Sequence, residues 1–83
     1  HKTSKERLAE SLLLLKDTFG VNDRGFINVV LNREDIANIT GMATETVVRC
    51  LREWNDAGVI DLDKKLIRII NTKQLLDIAN LND

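Results

Sequence analysis

Glu45 and Arg49 stand four residues apart in the run TETVVRC, which puts them one above the other if that run is helical. A guanidinium donates two parallel hydrogen bonds to a planar acceptor pair such as O6 and N7 of guanine. A carboxylate accepts from an exocyclic amine such as N4 of cytosine. Val47, Cys50, Leu51 and Trp54 form an apolar stripe along the same run, so helical geometry sends Thr44, Val48 and Arg52 outward with Glu45 and Arg49. That outward side carries the groups needed to read base edges and to meet phosphates. The spacing also fits a surface ion pair between Glu45 and Arg49, worth a few tenths of a kcal/mol, and by itself it weighs the two readings equally.

Other chemistries find no residues to carry them. There is no Gly-rich phosphate loop and no Cys/His pair, and the single histidine is His1, so no general base is in place and an enzyme is not expected. One cysteine and one histidine make no metal ligand set, and no cofactor is expected. Cys50 lies on the inward stripe, where a thiol is inert packing rather than a redox sensor. Trp54 shares that stripe and reads as core rather than as a stacking platform for single strands.

Net charge is −1, which gives no general support to a polyanionic partner. Between Asn32 and Ile70, Arg33, Arg49, Arg52, Lys64, Lys65 and Arg68 face Glu34, Asp35, Glu45, Glu53, Asp56, Asp61 and Asp63. Only their distribution over a surface can decide. The apolar run Leu12–Leu15 is far shorter than the roughly 20 residues of a membrane span, so no membrane partner is expected, and an unpaired cysteine fits a reducing cytoplasm.

The elements that would position these residues follow from caps and periodicity. Leu8, Leu12, Leu15 and Phe19 mark one stripe of a helix over about Ser4 to Phe19, ended by Gly20. Phe26 to Leu31 is rich in β-branched residues and predicts a short strand. Asn32 is a good N-cap for a helix to about Thr40, with Glu34 and Asp35 at the positive end of its dipole. Gly41 makes the turn into a second helix over about 43–57, stopped by Gly58. Ile36, Ala37, Ile39, Met42, Val47 and Cys50 are expected to pack the pair together. Val59–Leu62 and Leu66–Ile70, separated by Asp63, Lys64 and Lys65, predict a hairpin with a charged tip. Asn71 or Thr72 can cap a last helix carrying Leu75, Leu76, Ile78, Ala79 and Leu81. The fold expected is α+β and mainly α, a winged helix-turn-helix with a small antiparallel hairpin as its wing.

The run LNREDIANITGMATETVVRCL, Leu31 to Leu51, resembles the DNA-binding motif of the Crp/Fnr family of bacterial transcription regulators. Glu45 to Arg49, Glu-Thr-Val-x-Arg, is its most diagnostic part. GVID with LIRI resembles the family's wing, and KERLAESLLLL from Lys5 its opening helix. The resemblance implies that Glu45 and Arg49 read base edges in the major groove, with Thr44 and Val48 beside them. It further implies that Thr46 and Arg33 hold the DNA backbone, and Arg52, on the same outward face, is expected to do so with them. Lys64 and Lys65 at the wing tip are either phosphate contacts, which the resemblance favours, or a solvated turn. Thr44 stands where cyclic-AMP receptors of the family carry a further arginine, and Val48 where glycine or serine is frequent, so a different operator is implied. Ala43 is a poor N-cap where the family often has serine or threonine.

The chain is accordingly expected to be one domain, 1–83, cut from a longer regulator whose N-terminal sensor is absent. Double-stranded DNA is the implied partner, homodimerisation is implied for the full-length protein, and RNA polymerase is a further partner the resemblance allows. The competing reading, which the charge balance mildly favours, is a winged helix used only for protein interaction or dimerisation.

Overall fold

A computed structural model of the chain describes residues 1–81. The element order is α1 (Ser4–Phe19), α2 (Arg33–Thr40), α3 (Thr44–Asp56), β1 (Ile60–Asp63), β2 (Leu66–Ile69) and α4 (Thr72–Ala79). Each helix begins where the sequence offers a cap, α3 excepted. Thr3 and Glu6 form a reciprocal capping box on α1, Asn32 and Asp35 form another on α2, and Asn71 accepts from the Gln74 amide at the start of α4. Ala43 gives α3 no side-chain cap bond, as its methyl group dictates.

One core gathers all four helices and the hairpin. Leu8, Ala9 and Leu12 of α1 meet Leu75 and Ala79 of α4, and Ile36 and Ala37 of α2 meet Val47, Cys50, Leu51 and Trp54 of α3. Gly41, at φ 70° and ψ 26°, joins α2 to α3 in the left-handed conformation that a residue with a Cβ resists. Val59, Ile60 and Ile67 bring the hairpin into the same core. β1 and β2 pair antiparallel, with Ile60 opposite Ile69 and Asp63 opposite Leu66. Asp63 therefore ends β1 rather than belonging to the turn, which is Lys64 and Lys65 alone.

The expected strand over Phe26–Leu31 does not form. Phe26 and Ile27 make isolated bridges, to Arg68 and Val21 respectively, and the Ile27 amide donates to the Ile67 carbonyl at 2.9 Å. The other backbone groups turn inward on their own loop: Asn22 N–H to Phe26 O, Asn28 N–H to Gly20 O, Val29 N–H to Ile27 O. These local bonds consume the groups that a continuous ladder would use, so β-branched composition was overridden by the loop's own hydrogen bonding. Three expected core residues also lie outside. Ile39 is 56% exposed because the phase of α2 turns Thr40 inward instead, where its hydroxyl donates to the Ile36 carbonyl at 2.8 Å. Phe19 is at the end of α1, beyond the turns packed on the core, and is 46% exposed. Leu81 follows the left-handed Asn80 that ends α4 and is exposed too.

Candidate nucleic-acid interface

The candidate surface starts at α3. Its buried stripe, Val47, Cys50, Leu51 and Trp54, fixes the helix against α2 and leaves Thr44, Glu45, Arg49 and Arg52 exposed, with Thr46 and Val48 half-buried at the margins. Arg49 and Arg52 succeed Glu45 by one and two helical turns, so the three share a face. The structure separates the two readings of Glu45 and Arg49. Among the described residues the i, i+4 ion pair is Lys73–Asp77 at 3.7 Å, and Glu45 and Arg49 form none. Their hydrogen-bonding groups are left for another molecule.

Charge is redistributed by pairing elsewhere. Asp61 accepts from Arg68 at 2.7 Å, Asp63 lies 3.6 Å from Arg24, and Glu53 lies 3.5 Å from Lys5. Three of the acids that offset the central basic residues are thereby engaged. Asp35 is spent on its capping box. Arg49, Arg52, Lys64 and Lys65 make no ion pair among the described residues. The net charge of −1 thus conceals a set of unpaired cations on α3 and at the wing tip.

The wing is fixed on three sides. Asn55, on α3, accepts from the Leu62 amide at 3.1 Å, so α3 itself holds β1. On the flank, Arg68 Nη1 donates to the Arg24 carbonyl at 3.3 Å, and the guanidinia of Arg24 and Arg68 each lie 5.1 Å from the centre of the Phe26 ring. A Cβ at Gly25 would come within 3.1 Å of Arg68 Cδ, so the absence of a side chain there lets the loop close on the wing. Near the tip, Arg33 Nη2 donates to the Lys64 carbonyl at 3.2 Å. Sequence reasoning missed Asn55 and the Arg24–Phe26–Arg68 cluster. Asn55 carries no local signal, since its partner is in another element, and the cluster joins residues 44 positions apart. Arg33, expected on the DNA backbone by resemblance, is brought against the wing. Lys64 and Lys65 are exposed in the turn, as expected.

Comparison with known proteins agrees with this architecture. The profile of the Crp-like helix-turn-helix domain matches residues 6–78. The fumarate and nitrate reduction regulatory protein of Vibrio cholerae is 31% identical over 98% of this chain, which covers 33% of that protein. Electron transport regulator A of Shewanella oneidensis is 33% identical over 89% of the chain, which covers 30% of it. The chain thus spans about a third of the length of these curated relatives. Among solved structures, FixK2 from Bradyrhizobium japonicum superposes with a TM-score of 0.82 at 26% identity, covering 94% of this chain and 39% of that one. With its capped α2, its Gly41 turn, its exposed α3 face and its hairpin wing, the chain belongs to the Crp-like helix-turn-helix family, the DNA-binding domains of Crp/Fnr transcription regulators.

Proposed function

We propose that this domain binds double-stranded DNA sequence-specifically by laying α3 in the major groove, with Glu45 and Arg49 reading base edges and Thr44 and Val48 adding contacts at the margin. Thr46, Arg52, Lys64 and Lys65 position the DNA backbone in this reading, and Arg33 serves them from the seam between α2 and the wing. The observation that carries it is the outer face of α3: Glu45, Arg49 and Arg52 are exposed there without an ion pair among the described residues, while the nearby acids Glu53, Asp61 and Asp63 are paired to Lys5, Arg68 and Arg24.

The chain's share of its relatives' length supports the reading that it works within a longer cytoplasmic regulator. Two copies in a homodimer would engage the halves of a near-palindromic site, in a position to influence RNA polymerase. A single copy binds weakly by comparison, because two linked half-site contacts gain from effective concentration.

The test is selection of sites from a random duplex library, using the chain carried on a dimerising coiled coil at low and moderate salt. The expected result is an enriched two-fold site with a G·C pair in each half, lost in Arg49→Ala. Absence of enrichment at both salts would overturn the reading in favour of a protein-interaction module.

A further inference from the structure

We propose that Arg33 is a positioning residue that latches the wing tip to the first helix of the helix-turn-helix pair, rather than a direct contact to DNA phosphate. Its Nη2 is committed to the Lys64 carbonyl, 31 positions away, and its Nη1 is buried with no acceptor among the described residues. A phosphate-gripping arginine presents its nitrogens to solvent. Here the guanidinium is turned into the seam, and burial lowers its pKa from the ordinary value.

Three further observations explain why a latch is needed at this place. A two-stranded hairpin is marginal alone, and β1 and β2 are four residues each. Lys64 sits at φ 57°, a left-handed conformation that residues with a Cβ adopt at a cost, which a bond to the turn from outside helps offset. The Arg33 bond is, among the described residues, the side-chain hydrogen bond made to the turn residues. The latch also brings the Arg33 side chain to the turn that carries Lys64 and Lys65. The inference rests on the DNA-binding reading for its consequence, since the latch acts by fixing where Lys64 and Lys65 meet the backbone.

Two measurements test it, one of which needs no DNA. In the free domain, hydrogen–deuterium exchange should rise across residues 62–67 in Arg33→Ala while α1 and α4 stay unchanged. On the selected duplex, Arg33→Ala should weaken binding about fivefold, the equivalent of one ordinary hydrogen bond. In a Lys64→Ala/Lys65→Ala background the same substitution should have less than about a twofold effect, because a latch with nothing to position is silent. Arg33→Gln, which keeps the packed stem but shortens the reach, should match Arg33→Ala in both assays and guards against a folding defect at the start of α2. Equal losses in both backgrounds, with the salt slope reduced by about one and wing exchange unchanged, would show a phosphate contact and overturn the proposal. If the wild-type domain enriched no duplex, the exchange measurement would still decide the latch by itself.

Discussion

Single residues in this domain divide by whether the protein itself uses their polar groups. Asn55, Arg68, Asp61 and Arg24 are engaged in holding the wing, whereas Glu45 and Arg49 are exposed without an ion pair among the described residues. The first group should fail through structure and the second through recognition. Arg49→Ala is expected to lose about 1–3 kcal/mol of binding and to relax preference at one base pair, with the thermal midpoint unchanged. Lys65→Ala should instead weaken all sequences similarly and flatten the salt slope by about one, measured by anisotropy over a salt series. If the two variants gave the same base profile and the same slope, the division into base and backbone roles would be wrong. The direction of each side chain relative to its neighbours separates these roles, and one sequence shows it only in part. The apolar stripe on α3 predicted which residues face outward. The same sequence left Glu45 and Arg49 undecided between a mutual ion pair and two free groups, a question only geometry resolves.

The elements were legible where their signals are local. Caps at Asn32 and Asn71, turns at Gly41 and Gly58, and the charged interval at Lys64–Lys65 all act within a few residues, and each appears in the structure. Phe26–Leu31 was not legible, because its backbone partners are Gly20, Asn22 and Ile67, and β-branched composition cannot tell a ladder from bonds to the preceding loop. Two predictions belong to this scale. α3 begins at Ala43 without a side-chain cap, so Ala43→Ser is expected to add about 1 kcal/mol of stability, read as a raised denaturant midpoint at constant m-value. At the start of α1, the Thr3 amide donates to Glu6 Oε1 at 2.7 Å and holds that carboxyl below its ordinary pKa. Because the folded-state pKa is depressed, the cap's contribution is complete at neutral pH and disappears as pH falls through the lowered value. Circular dichroism of α1 helicity against pH should show this acid-side loss in the parent. Glu6→Gln, which cannot titrate, should lack that component of the curve.

At the scale of the whole molecule, one core serves every element, so stability and recognition draw on different atoms of the same helix. Leu51 is fully buried in the centre of α3, and Leu51→Ala is expected to cost about 2–5 kcal/mol, seen as a lowered thermal midpoint with DNA affinity lost in step with the folded fraction. A variant that lost affinity while fully folded would place Leu51 in recognition instead. The exposed side of the helix behaves oppositely. Thr44, Glu45, Arg49 and Arg52 lie outside the core, and substitutions at such surface sites usually change stability by no more than about 0.5 kcal/mol. Lineages carrying this domain can therefore exchange residues on this face one at a time without passing through unfolded intermediates. On the proposed DNA-binding reading, operator preference is thereby free to drift while the scaffold stays constant.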